Sequence, residues 1–182
     1  MKFTLTAAVA AGALASAANA NLFFESENNN TAAAANFLGS YTQPGDSFAV
    51  DGRLAVGDVD WFSFTVTHTA QIVASAFGVP NSSVGDAVMT LVAGDGTTII
   101  EQDDDDGVAL FPSLEAIVPA GTYYLVLSQF PDFDLDGLND NTGNPVDQNF
   151  RYKIAVGLNI PGPASAALLG MGGLVAVRRR RA

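Results

Sequence analysis

The run from Phe150 to Leu158 alternates without a break: Phe150, Tyr152, Ile154, Val156 and Leu158 are apolar, and Arg151, Lys153, Ala155 and Gly157 stand between them. Successive side chains of an extended chain point to opposite sides, so this period is that of a strand with one buried face. The same text recurs upstream. In Gly57-Asp58-Val59-Asp60-Trp61-Phe62-Ser63-Phe64-Thr65-Val66, the residues Phe62, Phe64 and Val66 share one side, and Trp61, Ser63 and Thr65 share the other. That stretch reads as a core strand entered through a glycine turn.

Shorter β runs fill the interval: Phe48, Val50 and Leu54 about a turn at Asp51-Gly52, then Ala70 to Phe77, Ala87 to Ala93, Thr97 to Glu101, Leu114 to Val118 and Thr122 to Leu127. Turn residues separate them, with Pro80 to Gly85 as a loop, Gly94-Asp95-Gly96 as a hairpin signal and Pro119-Ala120-Gly121 as a further turn. No segment of useful length carries the helical period. The pattern predicts an all-β fold, an antiparallel β-sandwich, in one domain over residues 47–159. Residues 21–46 read as an N-terminal arm, polar and alanine-rich, extended with one helical turn, because the stretch is too short for a stable helix of its own.

Both ends of the 182-residue chain read as processing signals. Lys2, an apolar run from Phe3 to Ala15 and the small residues Ala18-Asn19-Ala20 describe a secretory signal peptide over 1–20, with the mature chain starting near Asn21. At the other end, Pro161-Gly162-Pro163 precedes an apolar run from Ala164 to Val177 and the cluster Arg178 to Arg181. As a helix that run rises about 21 Å, short of the roughly 30 Å hydrocarbon core, and arginines can lengthen it by snorkelling. The arginines place their end in the cytoplasm by the positive-inside bias. The expectation is a transient transmembrane helix over 164–177 in the inner membrane, on a protein otherwise secreted to the cell surface.

Between the two ends the charge is lopsided. All 19 Asp and Glu lie there but only Arg53, Arg151 and Lys153 of the eight basic residues, a balance of 3 minus 19, or −16. Such a domain repels phosphates, which excludes nucleic acid and disfavours anionic lipid. The chain has no cysteine, so neither a disulfide nor a thiolate site ties down its acidic loops. A hard cation bound by oxygens is the candidate, and Ca2+ is the expected cofactor.

Three groups of carboxylates are candidate ligands. Asp132, Asp134 and Asp136 alternate before Gly137, with Asp140 following, as in the first half of a calcium loop. Position 12 of that frame is Gly143 and no helices flank it, so it is not an EF-hand; Asp140, Asp147 or a distant carboxylate is left to close it, or the loop is simply hydrated. Asp103 to Asp106 repel one another unless a cation neutralises some of them. Two of that run, Asp103 and Asp105 by alternation, are candidate ligands, together with Asp58 or Asp60 from a neighbouring turn. Asp58 and Asp60 otherwise only solvate the start of their strand.

Catalysis has little to stand on. The single histidine, His68, lies in Thr67-His68-Thr69 at a turn between strands, and no serine sits in a G-x-S-x-G elbow. Trp61, Tyr123 and Tyr124 either pack in the core or stack on a sugar. No catalytic residue is assigned. A glycan-active enzyme using loop carboxylates is the remotest reading.

The arm Glu25-Ser26-Glu27-Asn28-Asn29-Asn30-Thr31, the strand Asp58 to Phe64, the acidic loop Asp103 to Asp106 and Pro119-Ala120-Gly121-Thr122-Tyr123-Tyr124-Leu125 together resemble the bacterial pre-peptidase C-terminal domain. The resemblance covers about Glu25 to Leu158. It implies a jelly-roll-like β-sandwich, non-enzymatic, appended to secreted proteases and other exported proteins, and in some members calcium-binding through acidic loops. The tail resembles the PEP-CTERM sorting signal, with Gly162 where that family has Glu. This implies recognition by an exosortase and delivery to the cell surface or extracellular matrix of bacteria that make exopolysaccharide. The expected function is therefore an exported, non-catalytic, calcium-stabilised surface protein with a structural or adhesive role. The alternative is a carbohydrate-binding module acting on exopolysaccharide.

Overall fold

The computed structural model of the chain describes residues 20–79 and 85–160. The leader, the loop residues 80–84 and the whole tail, including the apolar run and its arginines, lie outside the described residues. Among the described residues no helix is long and apolar enough to cross a membrane.

Ten strands form among the described residues: β1 (Ala20–Phe24), β2 (Asn36–Tyr41), β3 (Asp46–Leu54), β4 (Asp60–Val66), β5 (Ala70–Gly78), β6 (Ala87–Ala93), β7 (Ile99–Asp103), β8 (Ser113–Val118), β9 (Gly121–Gln129) and β10 (Phe150–Asn159). They make two five-stranded sheets. The first has the order β1-β3-β10-β5-β8 and the second β2-β4-β9-β6-β7. The inward side chains of the two sheets meet in one core, where Phe48, Phe62, Phe64, Phe150 and Tyr152 are almost wholly buried. A two-layer sandwich is what alternating strands require, because each sheet has one apolar face to remove from water.

No turn falls at Asp51-Gly52, because β3 runs unbroken through it from Asp46 to Leu54 and both residues pair with β10. The structure departs from the sequence reading in two further ways. The arm is not outside the sandwich: it supplies β1 and β2, joined by a short 3-10 turn at Ala32–Ala34. Nor are the sheets wholly antiparallel, since β1 pairs parallel to β3 and β2 parallel to β4. The cause is common to both. The arm runs along the open side of the sandwich, giving one edge strand to each sheet, and its direction there matches that of the next strand. A strand of five residues, with Leu22, Phe23 and Phe24 in succession, carries too little alternation to be recognised alone.

A second apolar cluster lies on the outer side of the second sheet. Val59, Trp61, Val92 and Val126 are buried there beneath Ala32, Ala35, Tyr124 and Leu135. Trp61 meets Tyr124 edge-on at 5.7 Å. Trp61 is thus core, but the core of an outer layer built by the arm and the acidic loop. His68 is exposed in the turn between β4 and β5, with Nδ1 2.9 Å from the Thr67 hydroxyl.

Candidate metal centre

Alternation along β4 turns Asp60 to the same side as Phe62 and Phe64, so a carboxylate enters the sandwich at its rim. Asp60 is completely buried. Its Oδ2 accepts a hydrogen bond from the Tyr152 hydroxyl at 2.6 Å, which links β4 of one sheet to β10 of the other. Its Oδ1 is buried with no hydrogen-bond partner. Asp58, in the turn before β4, accepts from Asn30 Nδ2 on Oδ1 at 2.9 Å and from the Ala55 N–H on Oδ2 at 3.1 Å.

The arm completes the group. β1 carries on past Phe24, with the Glu25 N–H donating to the Asp51 carbonyl. Glu25 therefore crosses the rim with one oxygen accepting from the Arg53 N–H at 2.6 Å and the other, Oε1, buried without a partner. Glu27 follows on the same side, two residues on. The result brings together Glu25, Glu27, Asp58 and Asp60, with one oxygen of each lying within 4.8 Å of the others. Gly52 makes room: a Cβ there would collide with the Tyr152 phenol and stand 2.8 Å from the Glu25 carboxylate.

Crowding of this kind is costly. Two carboxylates about 4 Å apart near a protein surface repel by about 4 kcal/mol. The ion pairs made by Arg151 and Lys153 go to Asp51, outside the cluster. Burial, then the neighbouring Glu25, pushes the Asp60 carboxyl up to about 10. Glu27 is raised by burial and by Asp58 and Glu25, and the Tyr152 phenol is driven well above its ordinary range by burial and by Asp60. Protons or a divalent ion relieve the strain. Calcium takes six to eight oxygens at about 2.3–2.6 Å, so opposite ligands of one ion stand about 5 Å apart, which is the spread of this group. Asn29, two residues beyond Glu27, is completely buried; both polar atoms of its side-chain amide lack partners, while its main-chain carbonyl accepts from the main-chain N–H of Trp61 at 3.0 Å. All five orphaned buried polar atoms among the described residues belong to Glu25, Asn29, Asp60 and Trp61.

The second acidic group is built differently. Asp132, Asp134 and Asp136 also bring an oxygen each within 4.8 Å of one another. Asp132 is completely buried, but it is spoken for by its own loop: Oδ1 accepts from the Asp136 N–H at 3.1 Å and Oδ2 from the Gly137 N–H at 3.0 Å. Burial raises its carboxyl to about 6, against the lowering effect of those backbone donors. Asp134 and Asp136 are exposed. Asp140, expected to help close the loop, instead accepts from the Phe133 N–H at 3.0 Å and is not among the grouped carboxylates. The two acidic groups are mechanically joined. Gly137, at φ +79°, packs on Gly57 so closely that a Cβ would lie 2.6 Å from the Gly57 carbonyl.

Asp103 to Asp106 do not meet Asp58 and Asp60. Asp103 ends β7 and its Oδ2 accepts from the Ser113 N–H at 2.7 Å and the Asp106 N–H at 3.1 Å. β7 is three strands from β4 in its sheet, about 14 Å at ordinary strand spacing, so the expected pairing is corrected to one with the arm. Asp104 and Asp105 instead raise the carboxyl of Asp86, after burial.

Glu25 and Glu27 are the members of the rim group that sequence reasoning missed. The signal was present: Glu-x-Glu has the alternate spacing that singled out Asp132, Asp134 and Asp136.

No family model matches the chain, and no curated protein matches it. Among solved structures it is similar to the pre-peptidase C-terminal domain of a collagenase from Bacillus anthracis, at 17% identity over 67% of this chain and 93% of that one, with a TM-score of 0.46. It is similar also to PliG of Aeromonas hydrophila, a periplasmic inhibitor of g-type lysozyme, at 14% identity over 68% of this chain and 97% of that one, with a TM-score of 0.43.

Proposed function

We propose that this chain is an exported, non-catalytic β-sandwich of the cell surface or extracellular matrix, held rigid by calcium, with a structural or adhesive role. The observation that carries the metal reading is the group Glu25, Glu27, Asp58 and Asp60, in which buried oxygens of Glu25 and Asp60 have no partner. Its donors come from the arm and from the entry to β4, so one ion would fasten the arm across the rim of both sheets. The donor set is all oxygen, which suits a hard cation. Asp132, Asp134 and Asp136 are a second, weaker site, because the most buried of them is already engaged by backbone. The signal-like leader and the PEP-CTERM-like tail support export and sorting by an exosortase.

Isothermal titration of the exported protein with calcium tests the reading: one site is expected well below millimolar ion, lost on Glu27→Gln with Asp58→Asn. Absence of heat at millimolar calcium would end it. A carbohydrate-binding role is the second reading, favoured by a depression of about 240 Å³ lined by Trp61, Thr97 and Asp134. Retention on polysaccharide that is lost on Asp134→Ala would support it.

A further inference from the structure

The outer face of the first sheet differs from the rest of the surface. Its outward residues at the centre are small: Ala49 stands opposite Ala155, which stands opposite Ser75, and Ser47 opposite Gly157. They floor two shallow depressions of about 410 and 430 Å³ that share Ser47, Val73 and Gly157. Large apolar side chains stand around this floor. Leu22 and Phe24 of β1 are 52% and 71% exposed, Val73 and Phe77 of β5 43% and 39%, and Ile117 of β8 74%. At one end lie Arg53, Arg151 and Lys153, every Lys and Arg of the described residues.

We propose that two copies of this chain join here, sheet against sheet, about a two-fold axis. Three observations point to a second copy. Five of the eleven exposed large apolar side chains of the described residues lie on this one face, around the floor of small residues. The five strands, three of them of nine or ten residues, cover a projected area of roughly 600 Å², and the accessible area of so corrugated a face exceeds its projection, approaching the ~800 Å² per partner of a stable interface. Charge supplies the third. The rest of the domain is acidic and repels its own copies, whereas this face sets three cations against Asp51 and Glu115. An axis running across the strands reverses one sheet on the other. It carries Arg53 over the turn that holds Asp46 in the second copy and leaves the small floor at the centre, where two sheets can approach closely.

The chain has no cysteine, so a single introduced thiol reports without ambiguity. Facing sheets are about 10 Å apart, beyond the reach of a disulfide at about 7 Å, which calls for a bis-maleimide with a spacer of about 8 Å. The full chain carrying Ala155→Cys, solubilised in mild detergent, is expected to cross-link mostly to twice its mass, in calcium and in chelator alike. Thr122→Cys, exposed on the other sheet, is expected to give at least tenfold less. Adding Val73→Glu, or separately Phe77→Glu, to Ala155→Cys should lower the product at least tenfold while an unchanged melt shows the fold intact. Cross-linking at Ala155→Cys no greater than at Thr122→Cys overturns the proposal. So does a product insensitive to both glutamates, or a product joined to a chain of different mass.

Discussion

The two acidic groups offer nearly the same chemistry, three or four carboxylates within 4.8 Å, yet they load the fold in opposite ways. In the loop, Asp132 gathers the N–H groups of residues only four and five positions on, so the chain that brings the charge also neutralises its effect. At the rim, the carboxylates come from segments about 30 residues apart, and the backbone there is already committed to strands. Glu25 and Asp60 are left with buried oxygens that nothing in the described structure satisfies. Local acidic turns can stabilise themselves; an acidic group assembled by tertiary packing is left to protons or to an outside cation. The rim is therefore where the proposed calcium site can be tested against stability.

The largest expected effect sets the rim against the whole fold. Binding to the native state alone stabilises by RT ln(1 + [L]/Kd), about 2.7 kcal/mol at a hundredfold excess of ligand over Kd. For a domain of this size that is on the order of 10 °C in Tm, to be read by calorimetry with calcium and with chelator. Asp60→Asn should abolish that calcium shift while raising the melting temperature in chelator, because a neutral amide needs no proton taken up on folding, as the buried Asp60 carboxyl does. A calcium shift that survives Asp60→Asn would break the comparison in favour of the loop.

Asp132→Ala comes next. It strips two backbone N–H groups of their acceptor and is expected to cost about 2–3 kcal/mol, equally with calcium and with chelator, by chemical denaturation. A cost that appears only with calcium would make Asp132 a ligand first and a scaffold second.

The pH dependence separates the groups further. Asp60 is raised in the folded state to about 10 from an ordinary carboxylate value, so between those limits the native state holds more protons than the unfolded one. In chelator, stability is therefore expected to fall as pH rises from 5 to 9. Calcium takes the place of the protons and should flatten that slope. Denaturation midpoints at pH 5 and pH 8, with and without calcium, check the sign. The smallest effect belongs to Asp134→Asn with Asp136→Asn. Both residues are exposed, and the pair should move stability by less than about 1 kcal/mol and leave the calcium shift in place.

Much of this was legible before any coordinates. Most strands from Phe48 onward follow from alternation, because a half-buried sheet writes its period directly into the residue order; β6, buried on both faces, was visible instead as an apolar run ending in a turn. β6 has the bounds expected for it, Ala87–Ala93. The arm was harder to read. Phe23 is inward against Phe48 while Leu22 and Phe24 are outward, so every side of β1 is apolar and the two-residue period vanishes. The same holds for the rim. Asp58 and Asp60 were visible as a pair at a strand entrance, but their true companions lie more than thirty positions earlier, and loop residues nearer in the sequence looked equally able to join them.

The order of residues alone determined the class of fold, its layering, the acidity of the domain and the absence of any thiolate donor, since each of these depends on local period or on composition. Tertiary structure alone decided which carboxylates meet, that the arm closes both sheets in parallel pairing, and that one sheet keeps an apolar outer face with the cations at its end. Those outcomes depend on which strands become neighbours in space, and the pairing of strands distant in sequence is set by the summed fit of whole faces.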